Sequence, residues 1–572
     1  MTAPTPLLIG DRPTSVDDLV AVARDRRRVA LDPACLSRMI ASRAWVDDLM
    51  RGMAAGEPVE PVYSINTGFG SLAGRAAFDD PADAAELSRR LILADATGVG
   101  RTVDEEVVRA TMLIRAVSLA QGHSGVDPTL VQGVIDMLNH DVYPAVPEFG
   151  SLGASGDLIP LAHIAIVLTA PPTGDDDPLD SGEAIVDGHV VSGVEAMRHA
   201  GLTRVRVTAK DGLALLNGTS FSAAQAALAL WDARVLLETA QITAAMSIEA
   251  LLGFGDAFIA ELHEARGQRG QISVATRMRQ LLAGSRLVTG DRDHDPMRQP
   301  PQDAYSLRCV PQVYGPVADT LDFVEGILQT EINAATDNPL IFPSLPASRS
   351  LKAVSGGNFH AEYVAFAADF LSIVVTEIGN ITERRLFRLD DGTLSRGLPD
   401  MLVASAKVGL DCGYMLPQYL AAALVSDCKT LAHPDSVDSI PTSANQEDHV
   451  SMANNAGRHA RQIVQNIQHV VATELLMAAQ ALELRCAIDG VGTHSADDMG
   501  TASRAALALV RATPASDGRP IGHLRRDVAL YPRQRAAHAL VAQGEVVRAV
   551  DAALDAVAGP GSGSGSGPRD DS

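Results

Sequence analysis

Phe149-Gly-Ser-Leu-Gly-Ala-Ser-Gly-Asp-Leu-Ile-Pro-Leu-Ala-His163 is the stretch around which the rest of the chain falls into place. Its centre is Ala154-Ser155-Gly156, with Gly150 and Gly153 before it and Pro160 after it. Glycines reach backbone angles that other residues avoid and let one segment approach another closely. A serine in such a turn could be a nucleophile, but the pattern is not G-x-S-x-G and no strand is expected to lead into it. A second chemistry fits better. If the turn is held compressed, the Gly156 amide nitrogen can attack the carbonyl carbon of Ala154. Loss of two waters then leaves a 4-methylidene-imidazol-5-one ring, an electrophile made from the chain itself. The twenty side chains offer no such carbon acceptor for an amine. Ala-Ser-Gly alone is usually just a turn, so the remainder of the sequence has to decide.

The chain has 572 residues, 46% of them hydrophobic and 20% charged, which is ample material for a globular core. Aromatic residues are only 4%, and Ala, Leu and Val dominate, which favours helices. A net charge of -23 argues against nucleic acid and anionic membrane surfaces as partners. Cys35, Cys309, Cys412, Cys428 and Cys486 lie far apart with no CxxC pair, the pattern of buried free thiols in a reducing cytosol. The N-terminus lacks a signal-peptide pattern, and no apolar run looks long and clean enough to span a membrane. The most hydrophobic stretch, residues 223–252, carries Asp232, Arg234, Glu238 and Glu249 and reads as a buried bundle helix. A cytoplasmic protein is expected.

Outward from the central stretch, Val59-Glu-Pro-Val-Tyr-Ser-Ile-Asn-Thr-Gly-Phe-Gly70 reads as a loop around Tyr63. On composition alone Tyr63 is a core phenol. Helices are expected over 17–27, 86–97 and 103–122, and a Pro- and Asp-rich surface loop over 170–188. Asn217, between an apolar run and a glycine, reads as a helix-start cap or as a buried amide that needs partners. Residues 285–304 form a long loop, functional or disordered. It ends in Gln302-Asp-Ala-Tyr-Ser-Leu-Arg308, where one helical turn would put Tyr305 and Arg308 on one face. A surface ion pair is the plain reading of Arg308. Apolar residues at three- and four-residue steps predict helices over 317–334, 360–386, 413–431 and 453–486. Ser355-Gly-Gly-Asn-Phe-His360 and Ser436-Val-Asp-Ser-Ile-Pro-Thr-Ser-Ala-Asn-Gln-Glu-Asp-His-Val-Ser-Met452 interrupt them. Residues 556–572 form a flexible Gly/Ser tail.

Taken together these strings resemble the methylidene-imidazolone (MIO) dependent ammonia-lyases and aminomutases that act on histidine, phenylalanine and tyrosine, and histidine ammonia-lyase above all. The resemblance runs from about residue 15 to 550 through five separated motifs in family order. It implies an all-α fold, a long helical bundle with a smaller N-terminal domain carrying the MIO loop: residues 1–216 with the Tyr63 loop and the ring, 217–555 as the long-helix bundle. It also implies a homotetramer whose active sites draw on three subunits.

The resemblance assigns roles as well. Ala154, Ser155 and Gly156 would supply the ring, and Tyr63 the base that takes the substrate β-proton. An unperturbed tyrosine titrates near 10, so a cationic or amide environment is expected to lower it. Asn217 and Tyr305 would hydrogen-bond the ring and the reacting groups. Arg308 would clamp the substrate carboxylate, which guanidinium geometry suits. Ala94, Asp95, Gln302, Phe359, Gln446 and Glu447 would shape the substrate pocket. Gln446-Glu447 matches histidine ammonia-lyases, where the glutamate contacts the imidazole; phenylalanine enzymes usually carry an amide there. Ala94-Asp95 departs from the pattern, standing where histidine enzymes have Ser-His and tyrosine enzymes His-Leu. Met401, Asp411-Cys412 and Tyr363 also differ from the usual histidine pattern of Phe, Asn-Ser and Pro.

Two carboxylates facing one pocket repel unless a cation sits between them, so a basic or polar substrate side chain is expected, unless Asp95 simply points to solvent. Three readings follow: a histidine ammonia-lyase giving urocanate and ammonia; a lyase or 2,3-aminomutase for another basic or polar amino acid; and a non-catalytic oligomeric relative. No metal site is expected, because His123, His163, His360, His433 and His449 lie in different motifs without ligand spacing. No nucleotide fingerprint appears; Gly68-Phe-Gly70 lacks its third glycine.

Overall fold

A computed structural model describes residues 5–74, 80–288, 301–407, 409–486 and 494–558. Among them are nineteen α-helices and only short two- and three-stranded β pairings, so the fold is all-α with small β additions. The β pieces fall almost entirely in the first two hundred or so residues. Leu7–Ile9 pairs with Val29–Leu31 in parallel, Val99–Thr102 pairs with Pro147–Phe149 antiparallel, and Tyr143–Pro144, Glu183–Val186 and His189–Ser192 form a three-stranded sheet. Two expectations are corrected here. Pro147–Phe149 is a strand that leads directly into the glycine-rich stretch. The 170–188 loop folds back as a 3-10 turn, Pro178–Asp180, followed by the strand Glu183–Val186. Neither segment has the length or alternation that announces a strand in sequence.

The chain divides into two compact units. The first comprises Met1–Trp231, Phe323–Phe370 and Pro434–Arg461; the second comprises Asp232–Asp322, Leu371–His433 and Gln462–Ser572. Residues 1–216 fall within the first unit, together with later segments. Four long helices, Ser220–Ala250, Val310–Glu331, Glu362–Asp390 and Ala453–Arg485, have residues in both units.

Ser220–Ala250 is Ala- and Leu-rich, and every residue from Phe221 to Leu230 is buried, as expected for a helix apolar on all sides. Its start is capped from a distance. Asp157, just past the Ala-Ser-Gly turn, accepts from the backbone N–H groups of Phe221 (3.0 Å) and Ser222 (2.8 Å). A helix leaves its first N–H groups without intrahelical partners, and a carboxylate there satisfies them and opposes the positive end of the dipole. Ser222 Oγ and Ser151 Oγ donate to the other oxygen at 2.6 and 2.7 Å.

Glu362–Asp390 is long and apolar enough to cross a membrane by composition, which the sequence reading did not anticipate. Two-thirds of its apolar window (67%) is nevertheless buried in the protein. It also carries Arg385, fully buried and paired with Glu474 in the second unit through Nε–Oε1 at 2.5 Å and Nη2–Oε2 at 2.9 Å. Thr243 and Ser247 donate to the same carboxylate, and Arg385 donates to the Tyr314 hydroxyl. The network is closed, the condition under which a buried ion pair is tolerated.

The tail begins later than expected, since residues 556–558 complete the helix Glu545–Ala558 and the rest lies outside the described residues, as does 289–300 of the 285–304 loop. Cys35, Cys428 and Cys486 are buried free thiols, Cys309 is half-buried, and Cys412 is exposed, which corrects the expectation of uniform burial.

Candidate active site

The Ala154-Ser155-Gly156 turn is fixed against the segment that carries Asn217. Gly156 has φ +72° and bridges to Gly218, while the Asp157 N–H donates to Gly218 O at 2.7 Å. A Cβ on Gly156 would lie 2.2 Å from Gly218 O, so only glycine fits this crossing. Asn217 follows the helix Asp211–Leu216 as its C-terminal cap, not as a helix-start cap. Its side chain donates from Nδ2 to Ser155 O at 2.7 Å, and its Oδ1 is buried with no partner among the described residues. Arg115, buried behind it, donates to Asn217 O (2.7 Å) and Ala214 O (2.6 Å), holding this end of the helix in place.

A cavity of about 500 Å³ opens over this turn. Tyr63, Ser155, Asn217, Phe359, Gln446 and Glu447 all line it, so the first unit brings together six of the residues singled out from sequence. The loop around Tyr63 is built from turns, as its glycines suggest, and the Gly70 N–H donates to the phenol oxygen at 2.8 Å. Glu447 is held at both oxygens: Ser155 Oγ donates to Oε1 at 3.0 Å and Thr442 Oγ1 donates to Oε2 at 2.7 Å. The backbone before it is strained. Ser443, Ala444 and Asn445 have φ of 50°, 50° and 69°, an unusual run for residues with side chains, of the kind that collects at functional sites.

Asp95 ends the helix Pro81–Asp95 and is half-buried, so it is not an exposed helix residue. Its Oδ2 is buried with no hydrogen-bond partner among the described residues. Burial, with the Glu447 carboxylate adding to it, pushes the Asp95 carboxyl up to about 6. The same surroundings correct the expectation for Tyr63. The Gly70 amide lowers its pKa as anticipated, but burial outweighs it, and Glu447 and Asp95 also raise it. Within this chain the phenol is therefore held above its ordinary value.

Ala94 is exposed and does not line the cavity. Gln302, Tyr305 and Arg308 belong to the second unit and do not line it either. Tyr305 and Arg308 do share one helical turn, Tyr305–Arg308, with the guanidinium 4.6 Å from the tyrosine ring centre. Arg308 Nε donates to Asp303 O at 2.8 Å, and the Tyr305 side chain is 72% exposed. Sequence reasoning missed Asp157, Arg115 and Thr442. Asp157 carried a usable signal, an acidic residue closing a glycine-rich turn; Thr442 stands in the same string as Glu447, and Arg115 acts through a contact distant in sequence.

Turn, phenol, amide and the Glu447 carboxylate line one cavity, while Asp95 stands outside its lining near Glu447, and the site is that of an amino acid lyase. The chain belongs to the aromatic amino acid lyase family, whose sequence profile matches residues 14–512. It is a carbon–nitrogen lyase of that family. It is 45% identical over 483 residues to histidine ammonia-lyase 2 of Fusobacterium nucleatum, covering 84% of this chain and 89% of that one. Among solved structures, the tyrosine aminomutase from Streptomyces globisporus superposes with a TM-score of 0.84 at 31% identity, covering 96% of this chain and 99% of that one. The histidine ammonia-lyase from Trypanosoma cruzi gives 0.81 at 34%, with 97% and 96% covered.

Proposed function

We propose that this protein removes ammonia from L-histidine to give urocanate, using a methylidene-imidazolone formed from Ala154, Ser155 and Gly156. The observation that carries the reading is the single cavity on which the Ser155 turn, the Tyr63 phenol, the Asn217 amide and Glu447 converge. The residues present fit the ring. Gly156 has no side chain to obstruct closure against Gly218, and the Ser155 carbonyl oxygen, which cyclisation retains, already accepts from Asn217 Nδ2. The ring supplies an electrophilic methylidene carbon that takes up the substrate amine and makes it a better leaving group. Tyr63 removes the β-proton, and Glu447 accepts from the imidazole N–H of the substrate. Asn217 Oδ1, buried without a partner among the described residues, accepts from the substrate amine as its charge develops.

Arg308 and Tyr305 complete the site from a neighbouring copy in a homotetramer. Exposed aromatic residues support self-association: Tyr363, Phe366 and Phe370 recur along one helix, with Phe323 against Phe370 at 6.0 Å between ring centres. A contiguous apolar patch of this kind marks an interaction surface. A guanidinium brought beside Tyr63 would offset the two carboxylates that hold its pKa up.

A second reading is favoured by one observation, the buried oxygen of Asp95 that has no hydrogen-bond partner among the described residues and lies near Glu447. A more basic side chain, an ammonium or guanidinium, would pair with it, and the product would be either ammonia with an unsaturated acid or a β-amino acid isomer. One experiment separates these outcomes. The purified protein is incubated with each of the twenty amino acids and followed by mass spectrometry and ammonia release. Urocanate from histidine supports the first reading; turnover confined to arginine or lysine replaces it with the second; no turnover of any amino acid defeats both.

A further inference from the structure

Sequence spacing separates His360 from His449, yet the fold sets them together in the first unit. Their rings stack with centres 5.5 Å apart, and His449 Nδ1 lies 3.4 Å from His360 Nε2. Glu362, the first residue of its helix, joins them, so that one nitrogen of each ring and one carboxylate oxygen lie within 4.8 Å of one another. Two features of this trio suit a bound ion. Glu362 Oε2 is buried with no hydrogen-bond partner among the described residues, and His360 Nδ1, at 3.9 Å, is too far away to supply one. The two ring nitrogens lie at a separation that a shared tetrahedral ion would itself impose, since bonds of about 2.0–2.1 Å give an edge of about 3.4 Å; such an ion would replace the contact of His360 Nε2 with His449 O at 3.3 Å.

We infer that His360, Glu362 and His449 form a binding site for one divalent transition-metal ion of the Zn²⁺ class. Two neutral imidazoles and a carboxylate are the donor set such ions take, and the exposed side of His449 leaves the fourth position to water. The ion would give that Glu362 oxygen the partner it lacks among the described residues. Its place in the chain gives it a structural effect. His360 directly follows Phe359, and His449 lies two residues beyond Glu447, so the ion clamps together the two loops that bring Phe359 and Glu447 to the cavity.

The test needs no substrate and stands apart from the proposed reaction. The full-length protein is stripped with a chelator and titrated with Co²⁺, read by its visible absorption, and with Zn²⁺ by calorimetry. The same titrations are run on His449→Ala and Glu362→Gln, with circular dichroism to verify that both variants fold. One ion per chain in the wild type, weakened at least about tenfold in each variant, is expected, since even an outer partner of a ligand carries that much. Absence of saturable binding at one ion per chain, or equal affinity in the wild type and both folded variants, would overturn the site and leave the pair of rings sharing a proton.

Discussion

Replacing Asp95 by Asn removes a carboxylate whose buried Oδ2 has no hydrogen-bond partner among the described residues, and keeps its shape. The wild-type carboxyl titrates at about 6 in the folded protein, against 3.8 for an ordinary aspartate. Below the lower value both folded and unfolded chains hold the proton, and Asp95 costs nothing. As pH rises through the window between the two values, the unfolded chain ionises while the folded chain resists, so stability falls. Above about 6 the whole penalty is present. A window about two pH units wide, at about 1.4 kcal/mol per unit, sets a ceiling of about 3 kcal/mol per chain. Asp95 keeps some solvent access, and screening reduces this to roughly 1–2 kcal/mol.

The assay is the difference in unfolding temperature between Asp95→Asn and wild type across pH, because a chain with two compact units is not expected to unfold in one step. The variant should be the more stable at about pH 8 and indistinguishable at about pH 4. A second arm uses the same energy. A substrate side chain that carries positive charge recovers the penalty by pairing with Asp95, so Asp95→Asn should lower kcat/KM roughly 5- to 30-fold for such a substrate and leave a neutral one nearly unchanged. A variant no more stable than wild type above pH 6, or one that loses activity equally on charged and neutral side chains, would refute the reasoning.

Tyr63→Phe should fold and keep ring absorbance near the protein ultraviolet edge, while turnover falls by roughly 10²–10⁴-fold or more; near-normal rates would remove Tyr63 as the base. Because the phenol is held above its ordinary pKa and, as the proposed base, would have to lose its proton to act, kcat/KM should still be climbing at alkaline pH, which a pH profile with a non-ionising side chain would reveal. Gly156→Ala puts a methyl 2.2 Å from a backbone oxygen and should abolish both the ring absorbance and activity. Lys210→Met strands Asp337, its partner at 2.6 Å with both side chains fully buried, and should destabilise the first unit by about 3–5 kcal/mol in denaturant unfolding.

What could be read from sequence was the chemistry written within single short strings: the Ala-Ser-Gly turn, the Tyr63 loop, Asn217, and Gln446-Glu447. Each carries its own turn residues, so its local shape follows from its composition. Helix periodicity placed the long helices, and their ends shifted by a few residues where caps and tertiary packing overrode the pattern. Three things could not be read. The strand Pro147–Phe149 is too short to show alternation, and it forms because Val99–Thr102 offers it an edge. The titration of Tyr63 depends on burial and on carboxylates that only the fold brings near it. The meeting of His360 with His449 joins segments that nothing in their spacing connects.

The attachment of Gly156 and Asp157 to Gly218 and to the first turn of Ser220–Ala250 bears on the biogenesis of the enzyme. If the proposed cyclisation depends on that packing, the segment that would bring Ala154 and Gly156 together is one made later on the ribosome. A nascent chain that stops short of Gly218 should therefore carry an ordinary serine at position 155, whatever time it is given. Because the ring is covalent, it should also outlast later denaturation. Its absorbance in a denatured sample would then record a past event, marking those molecules that had once reached native packing and leaving unmarked those that never did.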